Sequence, residues 1–340
     1  MSFFEAHHGQ ERRREMEKKI GTLFFISILA AGIVLLARPS LYASYPEKPV
    51  TFICGFPAGG AMDMTARAIT EAAKKYFPKP MAVVNRPGAA GTIGAAEIIQ
   101  AKTDGYTIGI SAVAVLTLQP HRTKLPYGSP EDYTPILKLV NIPVCLTVKS
   151  TAPWKTIQEF VAYAKANPGK IRVGHPGIGT IPHLDVELLK GMANIDLTTV
   201  PFAGGAESVP ALLGGHVEAI SQHHGEVLPH VQAGKARVLG IFEEKRNPIF
   251  PDVPTFKESG YDITMGVYYL VLGPKGLSPE IVSKLHEAFK KGMEDPIFTK
   301  PMIGKGFDIS YEGPEDLKKR LFQDYEANGK LVERLDLKGK

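Results

Sequence analysis

Cysteine is nearly absent from this chain of 340 residues: Cys54 and Cys145 are the two, each inside an apolar run. That excludes a disulfide framework and a thiolate metal site, and predicts two buried thiols. No sign of charge dominates, because 40 Lys+Arg stand against 35 Asp+Glu without a basic block, so the footprint of a nucleic-acid partner is missing. Nucleotide signatures are missing too. There is no Gly-Lys-Ser/Thr P-loop, and Gly91-Thr92-Ile93-Gly94 is only a fragment of a dinucleotide fingerprint, so no cofactor is expected. No G-x-S-x-G nucleophile elbow occurs, and the Ser of Gly204-Gly205-Ala206-Glu207-Ser208 falls inside a helical segment, which leaves a hydrolase as the weaker alternative. The 34 Gly and 27 Pro follow no period, and no internal repeat is found.

What is present begins with a leader. Arg12, Arg13, Arg14, Lys18 and Lys19 precede the apolar stretch Ile20 to Ala37, and Pro39 with the small residues Ala43 and Ser44 follows. This is the order of a secretory signal, with cleavage expected near Ala43, or of an uncleaved membrane anchor; both export the body. No Cys stands at the end of the apolar stretch, which disfavours a lipid anchor.

The body, 44–340, has the length for about two domains. Short β-branched runs alternate with helix-period segments, which predicts an α/β fold. Strands are expected at Pro49–Cys54, Met81–Val84, Tyr106–Ser111, Ile142–Val148, Ile171–Gly174, Leu197–Val200, Val217–Ser221, Arg237–Phe242 and Val267–Leu272. Helices are expected at Met62–Phe77, Thr92–Lys102, Thr156–Ala166, Pro182–Met192, Glu207–Leu213, Pro279–Gly292 and Pro314–Arg334.

Four glycine-rich turns end a strand and open a helix: Gly55–Gly60, Pro87–Gly91, Gly177–Thr180 and Ala203–Ala206. A helix N-terminus leaves backbone N–H groups unpaired and carries partial positive charge, and glycine lets a ligand approach that backbone. Any α/β protein needs glycine at tight turns, but four such turns, two in each half, suit one small anion held in a cleft.

The residues Tyr45–Val50, GFPAGGAMDMTAR (Gly55 to Arg67), NRPGAAGTIG (Asn85 to Gly94), NPGKIRVG (Asn167 to Gly174), GIGTIPHLDVELL (Gly177 to Leu189), VPFAGGAESVPALLGGHVE (Val200 to Glu218) and PDVPTFKESGY (Pro251 to Tyr261) carry a resemblance. In their order and spacing the chain resembles the extracytoplasmic solute receptors of tripartite tricarboxylate transporters, the TctC or Bug family. The resemblance implies a type II periplasmic-binding fold: lobe one from 44–147 plus 266–340, lobe two from 148–265, joined by two crossing strands. It also implies a periplasmic, monomeric receptor without catalysis. That receptor closes on a small carboxylate solute and presents it to a large and a small integral-membrane subunit. Coupling to a signalling partner is the alternative.

By position, the resemblance implies ligand contacts from Phe56, Ala58, Gly59, Gly60, Asn85 and Gly88 in lobe one, and from Thr180, His183, Phe202, Gly204, Gly205 and Ala206 in lobe two. Asp63 either orders its loop through Arg67 or reaches the ligand through water. Thr180 either caps its helix or donates to the ligand, and His183, structural or ligand-orienting, would add pH dependence near neutrality. The family usually has Asp where Glu218 stands, and the run Ser221-Gln222-His223-His224-Gly225-Glu226 also departs from it, which points to an altered pocket floor. His223 and His224, with His216 and His230, lack metal-ligand spacing and are read as a polar wall. Phe56, Phe202, Tyr268 and Tyr269 hint at room for an apolar body.

Overall fold

The computed structural model describes Met16 and residues 45–339. The leader, its apolar stretch Ile20 to Ala37 and the expected cleavage near Ala43 lie outside the described residues. Among the described residues no helix is long and apolar enough to cross a membrane.

Pro46–Lys340 is one compact unit built on two sheets. In chain order the first half runs β1 (Val50–Cys54), α1 (Ala61–Ala73), β2 (Met81–Asn85), α2 (Thr92–Ile99), β3 (Thr107–Ala112), α3 (Val113–Thr117), α4 (Gln119–Arg122) and β4 (Tyr133–Ile142). The second lobe follows as β5 (Val144–Lys149), α5 (Ile157–Ala166), β6 (Arg172–His175), α6 (Ile181–Ala193), β7 (Thr198–Pro201), α7 (Gly205–Gly214), β8 (Ala219–His223), α8 (His224–Gln232) and β9 (Ala236–Ile241). The chain then returns through β10 (Val267–Pro274), α9 (Pro279–Glu294), α10 (Pro296–Gly304), β11 (Asp308–Glu312) and α11 (Pro314–Arg334).

The first sheet has the order β11-β4-β10-β3-β1-β2 and the second β7-β6-β8-β5-β9. Each has a parallel set, β3-β1-β2 and β7-β6-β8, extended by antiparallel strands. Parallel pairing buries both sheet faces, and the apolar runs of β1, β3, β5 and β8 are accordingly buried almost throughout. Lobe one packs Ile53, Ile98, Leu116, Leu270 and Leu321 into one core; lobe two packs Leu212, Val217, Ile220, Val227, Ile241 and Phe250 into another.

Single residues explain where the elements depart from expectation. The strand β4 is absent from the sequence reading because Pro135 and Lys138 interrupt its apolar run. Lys138 is nonetheless buried, paired with Glu312 at 3.0 Å and lying over the Tyr268 ring at 5.0 Å. The expected lobe boundary at 147/148 falls inside β5, which pairs with β8 and β9; the outgoing crossing is Pro143, between β4 and β5. In α8, Gly225 and Pro229 hide a helix of nine residues.

Candidate binding site

The carboxyl ends of β1, β6, β7 and β8 meet in the cleft between the lobes, where open α/β sheets place their ligands. The cavity there holds about 540 Å³ of empty space, open solvent at its mouth included. The N-terminal residues of four helices line it: Gly60, Ala61 and Met62 of α1, Thr180 to Pro182 of α6, Gly204 to Ala206 of α7, and His223 with Glu226 of α8. Phe56, Pro57, Val115, Gln222 and Tyr269 close the walls. Among the described residues no Lys or Arg lines the cavity. Negative charge entering it would therefore be met by helix termini, each equivalent to about half a positive charge.

In lobe one the Gly55–Gly60 loop is wired by side chains behind it. Asp63 is 3% exposed; Oδ2 accepts the Gly59 N–H at 3.0 Å and the Arg67 Nε–H at 3.0 Å, and Oδ1 accepts from Asn85 Nδ2 at 2.9 Å. Asn85 Nδ2 also donates to the Phe56 carbonyl at 2.9 Å. Burial pushes the Asp63 acid up, but the bonds from Arg67, Gly59 and Asn85 outweigh it and hold its pKa below the usual carboxylate range. Asp63 and Asn85 therefore position the loop from outside the cavity wall, and Ala58 and Gly59 also stand off that wall.

The second turn forms a layer behind the first. Gly91 sits at φ +92, and a Cβ on it would fall 2.7 Å from the Phe56 ring; a Cβ on Gly94 would fall 2.6 Å from Gly55 Cα. Glycine there lets the two turns stack and turns Phe56 into the cavity. Gly88 and Phe202 line a shallower groove at the cleft mouth with Gln119, Arg122, Gly177 and Ile178. Gln119 Nε2 donates to the Ile178 carbonyl at 2.8 Å, so the lobes touch at that mouth.

In lobe two the expected roles shift. The Thr180 hydroxyl makes no cap to α6 and donates instead to the Gly177 carbonyl at 2.7 Å, although the residue lines the cavity. His183 lies off the cavity wall: its Nδ1 accepts the Gly179 N–H at 3.3 Å and its ring lies 4.5 Å from that of His175. Burial, then the neighbouring His175 and Arg122, lower its pKa to about 3, so it is neutral at physiological pH and the expected titration near neutrality does not occur. Glu218 is outside the cavity, held by Arg172 at 2.6 Å, so its difference from the family does not alter the pocket floor. His224 is buried against Phe250 and Phe307, while His223 lines the cavity with a pKa lowered to about 3 by burial. Tyr268 points its hydroxyl to Asp324 at 2.6 Å, away from the cavity that Tyr269 lines. Among the described residues no group of three His, Cys, Asp or Glu could hold a metal. The cysteines are free and buried, both pushed up to about 12 by desolvation.

Glu226, which the sequence marks only as the last residue of the altered pocket-floor run, takes a role of its own in the structure. Its Oε1 accepts the Ala61 N–H at the start of α1 at 2.7 Å, across the cleft from its own lobe. Its Oε2 is enclosed without a hydrogen-bond partner, against Gly205, and desolvation raises its pKa to about 7. The signal available was faint: one acid two residues after a His pair, at the start of a helix.

The sequence pattern of the Tripartite tricarboxylate transporter family receptor, TctC, matches residues 65–337. The chain is 34% identical over 308 residues to the UPF0065 protein in the gbd 5' region of Cupriavidus necator, covering 91% of this chain and 94% of that one. It superposes on the periplasmic binding protein BugD with a TM-score of 0.82 at 30% identity, covering 86% of this chain and 99% of BugD. It superposes on MatC of Rhodopseudomonas palustris, solved with bound malate, with a TM-score of 0.80 at 27% identity, covering 85% of this chain and all of that one. On the profile, the identity and the shared two-lobe fold, the chain belongs to the tripartite tricarboxylate transporter receptor family.

Proposed function

We propose that this protein is the extracytoplasmic receptor of a tripartite tricarboxylate-type transporter, closing its lobes on a small carboxylate solute and delivering it to the membrane subunits. The observation that carries the reading is the meeting of four helix N-termini on one cavity on whose wall, among the described residues, no cationic side chain stands. Such a site attracts an anion while leaving its body against apolar wall, and the malate bound by MatC is an acid of that class. Phe56, Gly60, Thr180 and Gly204 to Ala206 touch the solute; Ala58, Gly59, Asp63, Asn85, Gly88, His183 and Phe202 shape the loops that do. A solute binding both lobes shifts the population toward the closed state, and the membrane subunits read that state without chemistry on the solute.

Thermal unfolding against a panel of small carboxylates tests this. A solute at about 100 times its dissociation constant stabilises by about 2.7 kcal/mol. A clear rise in Tm for one acid supports the receptor; a flat response across the panel from well-folded protein overturns it.

A further inference from the structure

The cavity already contains a carboxylate of the protein's own. Glu226 reaches from α8 of lobe two and seats Oε1 on the first N–H of α1 in lobe one, at 2.7 Å. Oε2 is enclosed, unpartnered and packed against the first residue of α7, where a Cβ on Gly205 would overlap it. The acid thus spans two of the helix termini that would hold an incoming anion. Among the described residues Glu226 is the one acidic side chain on the cavity wall and no Lys or Arg lines it to balance a second negative charge; Lys305 acts on Glu226 from outside the wall. Next to it, His223 has an enclosed Nδ1 without a partner. Gln222, by contrast, is spent: its Nε2 donates to Ser208 and its Oε1 accepts the His223 N–H, both at 3.0 Å. The cavity therefore offers an unpartnered carboxylate oxygen against the start of α7, and the start of α6 on its wall offers further backbone N–H groups.

We propose that Glu226 is the specificity residue of this site and selects a zwitterionic solute, an amine-bearing monocarboxylate, over a dicarboxylate. The inference rests on the carboxylate-receptor reading and narrows it. The solute's carboxylate takes the N–H groups at the start of α6, and its ammonium group takes Oε2 of Glu226 beside the start of α7. A dicarboxylate would place its second negative charge where that oxygen stands, in a cavity with low dielectric whose described wall holds no cation, which is a heavily penalised arrangement.

The geometry sets a pH dependence of definite sign. The titratable and charged groups around Glu226 are Lys305 before β11, Tyr269 of β10, Cys145 of β5 and His223 beside it. Tyr269 and Cys145 are held protonated, and His223 neutral, by burial. Glu226 is thus the group that changes charge near neutrality, and ammonium binding strengthens as it ionises, from pH 6 to pH 8.

The test is titration calorimetry of the purified protein and of Glu226→Gln with the twenty L-amino acids, 4-aminobutyrate, the deaminated acid of each binder, malate and adipate, at pH 6 and pH 8. The expected result is an amine-bearing monocarboxylate bound at least tenfold more tightly than its deaminated counterpart and than both dicarboxylates, with affinity rising several-fold between pH 6 and pH 8. In Glu226→Gln that preference collapses and the pH dependence disappears, while Tm confirms an intact fold. Malate or adipate binding the wild type more tightly than every amine, or a preference unchanged in Glu226→Gln, overturns the inference and leaves the receptor reading standing. Affinity that falls from pH 6 to pH 8 also overturns it, since it means that protonated Glu226 donates to a second carboxylate. Failure of every acid, with or without an amine, in both proteins overturns the receptor reading itself.

Discussion

The two lobes build their share of the cleft by opposite means. Lobe one wires its loop with charge: Asp63, Arg67 and Asn85 bond to each other and to the backbone of Phe56 and Gly59. Lobe two has one carboxylate on a turn, Glu207, which accepts the Ala203 N–H at 3.1 Å, and otherwise relies on neutral groups and close approach, with Gly204 and Gly205 at that helix start and the tilted, uncharged rings of His175 and His183 under the other turn. A charged network tolerates exposure at its edge, and Arg67 is half exposed. A neutral packed turn depends on staying dry. The same anion-binding geometry is thus reached with different sensitivities to pH and to side-chain volume.

Acid separates the lobes most strongly. Burial lowers the pKa of His175 and His224 to about 4 and of His183 and His223 to about 3, all four in lobe two. A histidine kept neutral in the fold but free to protonate when unfolded contributes stability above its unfolded pKa near 6.5, and that contribution drains as pH falls toward 4. Each sheds about 1.4 kcal/mol per pH unit in that window. Asp63 has the same sign in a lower window: its depressed pKa contributes stability that is lost only as pH falls below about 4. Glu226 and Glu243, raised to about 7 by burial, and the buried Asp185 take up protons in the fold over the same range as the histidines and offset their loss. The expected outcome is therefore a difference: in urea unfolding at pH 7.5, 6 and 5, His183→Gln loses less stability toward acid than the wild type, by about one proton's slope. Equal pH slopes in the wild type and His183→Gln would contradict a neutral His183.

Volume is the next way to break lobe two. Gly205→Val forces Glu226 from its seat and blocks the α7 terminus, so solute affinity is expected to fall about a hundredfold, or about 2.8 kcal/mol, by calorimetry. Lobe one is broken through charge. Asp63→Ala strands the Gly59 N–H and frees Arg67, and is expected to cost about 2 kcal/mol of stability by urea titration, with weaker binding as the loop loosens. Glu218→Gln sharpens the comparison by doing little: its partner Arg172 is exposed, so the loss is expected to stay below about 1 kcal/mol, with affinity unchanged.

Legibility in the sequence followed the same physics. Helix α11 was expected at its observed ends because Pro314 opens it and Leu317, Leu321 and Val332 mark a buried stripe. The turns at 55–60, 177–180 and 203–206 were legible as helix-opening glycines, and the cavity has residues of each on its wall or beside it. That the Pro87–Gly91 turn stands behind Phe56 was not, since stacking of two turns depends on a ring and a glycine distant in sequence. Glu226 was hidden for a stronger reason. Acidic residues are ordinarily solvated, so nothing local marks one that crosses to the other lobe's helix. Strand β4 was hidden by the buried Lys138, whose partner Glu312 comes 174 positions later.

Pro143 has a mechanical meaning. It joins the sheets as a single residue, its ring locks one torsion, and its carbonyl accepts from His224 N–H at 3.1 Å, which ties the link to lobe two. Beside it, the Phe242 N–H bonds to the Val144 carbonyl at 2.9 Å, so the return path is strapped to the same side. On the lobe-one side Ile142, buried in β4 and restricted by the proline after it, pairs with Val267, and Gly266 precedes that pair. In the proposed closure, the whole rearrangement between the lobes is concentrated in two short stretches of backbone.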